Sequence, residues 1–233
     1  FITHKLKETM TISDRITILR AGKNVGTVET GETSPEELAQ MMVGREVVLR
    51  VTKTPQRPGD AVLRVANLVV QDARGLPALR GVDFAVRAGE IYGIAGIEGN
   101  GQSELIEALT GLRKAASGEM TLRGQSLRDK SPAQILQLGL GHVPEDRLHR
   151  GLVEPFTVAE NAILGYHRQP PFSRSGILQP AEIREHATAL IDAYDIRTPG
   201  GEAEIAHLSG GNQQKTVLAR ALSSAPVFLV ASQ

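Results

Sequence analysis

The chain has 233 residues with 26 Lys+Arg against 26 Asp+Glu, a formal net charge of zero, and this neutral balance disfavours a general nucleic-acid binder, a class that is normally basic. Hydrophobic residues make up 41% and charged residues 22%, the composition of an ordinary chain of one or two globular domains. The absence of Cys excludes disulfides and thiolate zinc sites, 3% aromatics without Trp disfavours a base-stacking platform, and no apolar run approaches the ~18 residues of a membrane span.

Phe1-Ile2-Thr3 reads as the tail of a buried strand. A short helix-like stretch follows at Leu6 to Met10. Residues 15–20 alternate with period two, 21–24 read as a turn and 25–28 return, which predicts a β-hairpin. Ser34-Pro35-Glu36-Glu37 supplies an N-cap, a proline in the first turn and acidic charge at a helix start, and so predicts a helix through Met42. Two prolines and a glycine between about 50 and 60 read as a linker.

The pattern restarts at Ala61. Strands are predicted at 62–70, 80–86, 90–97, 119–123 and 140–144, and helices at 103–112, from Ser131-Pro132 onward, at 157–164, 180–194 and 210–223. The apolar run at 227–231 reads as a further buried strand. A strand, a Gly-rich turn and a helix, then more helices and a buried strand, predict an α/β fold with a largely parallel core. Neither end reads as a natural surface terminus, and no signal peptide is expected. The expectation is an internal piece of a longer protein.

Gly96-Ile97-Glu98-Gly99-Asn100-Gly101-Gln102-Ser103 has the phosphate-loop spacing G-x-x-x-x-G-K-[ST] with Gln102 in place of Lys. Glycines let backbone N–H groups converge on phosphate oxygens, and a helix N-terminus adds a favourable dipole. Ser103 can offer a hydroxyl to Mg²⁺. Gln102 can donate a hydrogen bond but carries no charge, and Glu98 and Glu104 bring negative charge nearby. These residues alone also suit a strand-to-helix turn that binds nothing. A second Gly-rich helix start, Leu208-Ser209-Gly210-Gly211-Asn212-Gln213-Gln214-Lys215, has Ser209 as its N-cap.

Together, residues 96–105 (GIEGNGQSEL), 143–152 (VPEDRLHRGL) and 208–220 (LSGGNQQKTVLAR) resemble the ATP-binding subunits of ABC importers. The resemblance is nearest to those for simple sugars and nucleosides, which carry two nucleotide-binding domains in one polypeptide. It implies a P-loop NTPase fold of α/β class: a mixed sheet core with an antiparallel β subdomain and a helical subdomain. It implies that 1–49 is the C-terminal part of a first nucleotide-binding domain, 50–60 a linker, and 61–233 a second domain truncated at its Walker B strand. It implies ATP and Mg²⁺ as cofactors, integral-membrane permeases as partners, a substrate-binding protein as an indirect partner, no nucleic acid, and a peripheral place on the cytoplasmic face of the cell membrane.

Residue by residue, the resemblance makes His4 a switch histidine and gives Gly96, Glu98, Gly99, Asn100, Gly101, Gln102, Ser103 and Glu104 to the ATP loop. Ser209, Gly210, Gly211, Asn212 and Gln213 become the signature that meets ATP on an opposite domain. Glu145 takes the Q-loop position, and Ser232 and Gln233 replace the Walker B Asp and the catalytic Glu. With Lys, Asp and Glu all replaced, efficient hydrolysis at this loop is not expected, while the intact signature should still serve the first domain. Two alternatives stay open: a non-catalytic, allosteric nucleotide-binding half, and a soluble ABC ATPase that remodels ribosomes or DNA.

Three further expectations concern placement. Residues 1–20 should fill the gap left by a missing switch strand, in cis or by swapping between chains, because unpaired buried backbone is costly. His142, His149, His167, His186 and His207 lack metal-ligand spacing and read as surface or loop residues. Phe156, Tyr166 and Phe172 suit either a permease contact or a small local core.

Overall fold

The computed structural model describes residues 1–44 and 54–232. It divides into two compact units, Phe1–Pro55 and Gln56–Gln233.

In the first unit, α1 (Leu6–Ile12) precedes a hairpin of β1 (Arg15–Arg20) and β2 (Lys23–Glu29), and α2 (Pro35–Val43) follows. Ala21 and Gly22 turn the hairpin, both at positive φ (51° and 75°), the primed-turn geometry whose twist suits antiparallel strands. The start of α2 is fixed locally: Ser34 Oγ accepts from Glu37 N–H and the Glu37 carboxylate accepts from Ser34 N–H. Ile16 and Ile18 on the hairpin bury against Leu38 of α2. Residues 1–3 form no strand. Phe1 is 78% exposed, Ile2 is fully exposed, and among the described residues β1 pairs with β2 alone. The expected buried strand tail is therefore not formed. Residues 45–49 of the expected first domain and 50–53 of the expected linker lie outside the described residues, and 54–59 carry no strand or helix.

The second unit opens with two long strands, β3 (Ala61–Gln71) and β4 (Pro77–Arg87). Then come α3 (Gln102–Leu109), β5 (Ser117–Leu122), β6 (Gln125–Ser126), α4 (Pro132–Gln137) and β7 (Leu140–Val143). β3, β4, β5 and β6 make an antiparallel sheet in the order β4-β3-β5-β6. The register slips near Asn67, where φ is +47° and its N–H is held by Asp83 Oδ1 at 2.9 Å. Gly118 faces this bulge at φ +94°, and a Cβ there would strike Asn67 O and the Leu68 backbone. Leu63, Val65, Leu68 and Val70 bury one face of β3 against Leu105 and Leu109 of α3, Ile135 of α4 and Leu140 of β7. Each such side chain contributes about 1.5–3 kcal/mol.

The helical part holds α5 (Val158–Ala162), a small hairpin of β8 (Ser173–Arg174) and β9 (Ile177–Leu178), α6 (Pro180–Ala193) and α7 (Gly210–Ser223). Val143, Leu152, Val158, Leu190, Ile205 and Val217 form its main core. Phe172, Ile163, Ile183 and Ala187 form a second, with Tyr166 against it, so Phe172 and Tyr166 serve a local core while Phe156 stays 39% exposed. The last strand, β10 (Phe228–Ala231), pairs parallel to β7 in the register Phe228↔Leu140 to Ala231↔Val143.

Two sequence expectations are corrected here. The parallel part among the described residues is this two-stranded pair, and the larger sheet is antiparallel. The strand expected at 90–97 is not formed: the segment is exposed, with Ile91 at 78% and Ile97 at 79%. Its apolar pattern is that of a central strand, but no strand pairs with it among the described residues, and a strand without a ladder partner has no hydrogen bonds to hold it.

Candidate functional site

The phosphate-loop segment runs out of the exposed stretch 91–97 into α3. Asn100 N–H donates to Ile97 O at 3.1 Å, which tightens the turn. Gly99 and Gly101 sit at φ +88° and +98°, where a side chain is strained. At Gly101, the residue before α3, a Cβ would also fall 2.9 Å from Ala78 O and 2.6 Å from Leu79 Cδ2, so only glycine lets the loop approach β4 this closely. Gln102 folds back: its Nε2 donates to Ile97 O at 3.0 Å, and a Cβ on Gly96 would land on the Gln102 amide. Glu98 and Asn100 are exposed, Glu104 is half-buried, and Ser103 is exposed at the first turn of α3.

Ser103 opens onto a cavity of about 200 Å³ shared with Glu107, His142, Glu145, Arg150 and Ser232. Ser232 is placed there by the ladder: its N–H donates to Val143 O at 3.0 Å, continuing the β7–β10 pairing. Burial pushes the Glu107 carboxyl up, but hydrogen bonds from Arg113 and Arg150 outweigh it and hold the group below the ordinary carboxylate range. Arg150 Nη1 reaches Glu107 Oε1 at 2.9 Å, and Arg113 reaches Oε2 at 2.7 Å. Asp146 caps the turn after β7 by accepting from Leu148 and His149 N–H. Gln233 lies outside the described residues.

His142 departs from the expected surface role. It sits on β7, half-buried, with Nε2 buried and lacking a hydrogen-bond partner. Burial, and then the charges of Arg150 and Arg220, hold its pKa below the ordinary imidazole value. His186 is likewise half-buried, lies against Phe172 with ring centroids 4.8 Å apart, and is lowered by burial.

The signature turn is built from side-chain bonds. Asn212 Nδ2 donates to Ser209 Oγ at 3.0 Å and its Oδ1 accepts from Arg197 N–H at 3.0 Å. Gln213 is buried and donates to Ile205 O at 3.1 Å. Ser209 and Gly211 remain exposed. Ser209 precedes α7, but its hydroxyl does not cap the helix N–H groups. Arg147 lies over the turn: its Nε donates to Gln213 Oε1 at 3.3 Å, and a Cβ on Gly210 would come within 2.6 Å of its Nη2. His4, the expected switch histidine, is an exposed residue of the first unit.

Deeper in the second unit, Asn161 is fully buried and makes four side-chain bonds to the 153–157 backbone. Arg220 of α7 donates to Asn161 O at 3.1 Å and Gly151 O at 2.7 Å. Beside this clamp lies a groove of about 650 Å³, with Leu136, Leu152, Leu164 and Tyr166 in its lining and Arg150 and Arg168 among its cations.

The loop fits the phosphate chain of a nucleotide in part. Two left-handed glycines and the N-terminus of an eight-residue helix suit an anion, and Ser103 supplies a hydroxyl. The position that would neutralise the phosphates holds a neutral amide instead. Among the described residues no group of three His, Asp or Glu side chains is placed to hold a metal ion by itself. A divalent ion would rely on hard oxygens such as Ser103 together with the nucleotide's own phosphates.

Arg147, Arg150 and Arg220 fall inside the motif segments 143–152 and 208–220 but carry no assigned role there, and Glu107 and Asn161 have no signal in the sequence.

The family model for the ABC transporter matches residues 79–231. The guanosine import ATP-binding protein NupO of Bacillus subtilis is 46% identical over 95% of this chain, which spans 44% of that protein. The nucleoside import ATP-binding protein NupA of Lactococcus lactis subsp. cremoris is 44% identical over the whole chain, which spans 46% of that protein. The chain thus spans about half the length of the curated relatives it matches. A nucleotide-free ATP-binding cassette from an ABC transporter superposes with TM-score 0.61 at 25% identity, covering 75% of this chain and 69% of that one. With this match, this fold and both Gly-rich helix starts in place, the chain belongs to the ABC transporter family.

Proposed function

We propose that this chain is part of the ATP-binding component of an importer for nucleosides or simple sugars, with residues 61–233 its second nucleotide-binding domain and 1–49 the end of its first. The observation that carries the reading is the contrast between the two Gly-rich helix starts. The phosphate loop places the neutral amide of Gln102 over Gly96, while the signature turn keeps Ser209 and Gly211 exposed on a frame of side-chain bonds. Two relatives that share 44–46% identity carry nucleoside or guanosine import in their names.

On this reading the second domain binds MgATP through the backbone of 96–101 and the Ser103 hydroxyl, and turns it over slowly or not at all. Bound Mg²⁺ would screen phosphate charge, with Ser103 the residue that holds it. Gln102 orients a phosphate oxygen by one hydrogen bond and contributes no charge. Ser209, Gly210 and Gly211 meet the ATP of the first domain, where His4 acts as the switch histidine. Glu145 takes the Q-loop place, and Ser232 and Gln233 the degenerate Walker B places. The 650 Å³ groove, lined by apolar side chains and by Arg150 and Arg168, supports a segment of a membrane permease as its occupant and a peripheral place for the subunit on the cytoplasmic face of the membrane. No described helix is long and apolar enough to cross a membrane.

Calorimetric titration of MgATP into this chain, with phosphate release followed in the same sample, tests the reading. The expected result is saturable binding without sustained release. Turnover near ~1 s⁻¹, in the range of ordinary enzymes, or a folded chain that binds no nucleotide, would overturn it.

A further inference from the structure

Five asparagines occur in the chain, and Asn100 alone is followed by glycine. A side chain on the next residue hinders its backbone nitrogen from reaching the asparagine amide carbon, and glycine removes that hindrance. The surroundings differ as well. The Asn161 amide is bonded to the 153–157 backbone, the Asn212 amide to Ser209 and Arg197, and Asn24 Oδ1 accepts from Gly26 N–H at 2.9 Å. Asn100 is exposed, and neither its side chain nor the Gly101 N–H has a hydrogen-bond partner among the described residues. The amide carbon and the nitrogen that can attack it are thus neighbours, with neither held elsewhere.

Gly101 itself is buried under Leu79 and Ala78, so attack waits on a brief opening of the loop. The turn is closed at a single atom: Ile97 O accepts from Asn100 N–H at 3.1 Å and from Gln102 Nε2 at 3.0 Å. Both bonds are neutral, and the 91–97 segment that leads into the turn is exposed and unpaired among the described residues. Such a turn opens more readily than one anchored in a ladder.

We propose that Asn100–Gly101 is a site of spontaneous deamidation, through which the phosphate loop loses its hold on nucleotide as the protein ages. Gly101 N–H gives its proton to hydroxide and the nitrogen bonds to Asn100 Cγ. The Cγ–Nδ2 bond breaks and Nδ2 leaves as ammonia. The cyclic imide then takes up one water. Cleavage of its Cγ–N bond gives Asp, and cleavage of the bond from the main-chain carbonyl carbon to nitrogen gives isoaspartate. Nothing is oxidised or reduced, and water is the only co-reactant.

Either product sets a carboxylate between Gly99 and Gly101, close in sequence to Glu98 and to the uncharged Gln102. Isoaspartate also adds a carbon to the backbone between two glycines at positive φ, which shifts the N–H groups of the loop. The chemical step stands on the loop itself, while its consequence rests on the reading of 96–103 as a phosphate loop.

Peptide mass mapping of the whole chain, aged without nucleotide at neutral and mildly alkaline pH, tests the step. Asn100 should convert about tenfold or more faster than the exposed Asn24 in the same sample, a ratio that reads a lower barrier at this bond. The rate should rise with pH, and enzymatic methylation should identify isoaspartate at position 100. Asn100→Gln should keep its amide, because the larger ring forms slowly. Saturating MgATP should slow conversion at Asn100 and leave Asn24 unaffected. Freshly prepared Asn100→Asp should bind MgATP about tenfold more weakly by calorimetry, the effect of one like charge near the phosphates.

Conversion at Asn100 no faster than at Asn24, or an Asn100→Asp chain that binds MgATP as tightly as the parent, would overturn the proposal. Preferential conversion in a fresh, folded parent chain that binds no MgATP would remove the proposed function and the consequence for nucleotide, and leave the reactive site standing.

Discussion

Gln102 donates its side-chain amide to the carbonyl of Ile97 at 3.0 Å, closing the phosphate loop upon itself. The bond is neutral to neutral, so it holds the loop without creating the positive charge that phosphates need. Gln102→Lys supplies that charge at the same place. A charge-assisted hydrogen bond exceeds a neutral one by roughly 1–1.5 kcal/mol, so MgATP affinity should rise about tenfold. Calorimetry on the two chains compares them directly, and equal affinities would show that the loop does not engage phosphate through this position.

Asn161 tests the anchoring of the helical part. Its amide bonds Val153 N–H and the carbonyls of Val153, Phe156 and Thr157 at zero exposure. Asn161→Ala leaves the Val153 N–H without its partner, while the carbonyls of Val153, Phe156 and Thr157 keep the bonds from Phe156, Ile205 and Asn161 N–H. The cost should be about 2 kcal/mol, measured as a lower urea midpoint with an unchanged slope. A loss below about 1 kcal/mol would mean that water replaces the amide.

The imidazoles set the acid side of stability. His142 and His186 are both held below the ordinary value of 6.5, chiefly by burial. The unfolded chain then takes up protons first as pH falls. Their stability contribution is complete above about pH 6.5 and is lost as pH drops towards the lower folded-state values. Urea unfolding between about pH 7.5 and 5.5 should show stability declining with acid, and His142→Gln should flatten the slope. A wild-type chain more stable at the acid end would contradict the assignment.

Much of the fold is legible where the chemistry is local. Ser34-Pro35 and Ser131-Pro132 read as helix starts because capping needs only three or four residues, and both are capping boxes in the structure. The β1–β2 hairpin follows from alternation and a turn, which closes at Ala21-Gly22 where 21–24 was expected. Residues 90–97 have the same apolar signal yet form no strand, because a strand depends on a partner its own pattern cannot specify. His142 reads as a surface residue, since its burial comes from elements distant in sequence.

The site divides the same way. Gln102 and Ser209 stand out from motif spacing alone. Arg147 meets Gln213 across 66 positions and Arg150 meets Glu107 across 43, and no short-range pattern announces either pair.

On the proposed reading the second domain lends its signature and does not hydrolyse at its own loop. Steady-state hydrolysis by the tandem subunit carrying Ser209→Arg or Ser103→Ala tests it most directly. Ser209→Arg places bulk and charge where the first domain's ATP would be met, and should reduce turnover by about a hundredfold or more, while Ser103→Ala should leave it within about threefold. The reverse pattern, with Ser103→Ala abolishing turnover and Ser209→Arg sparing it, would contradict the claim.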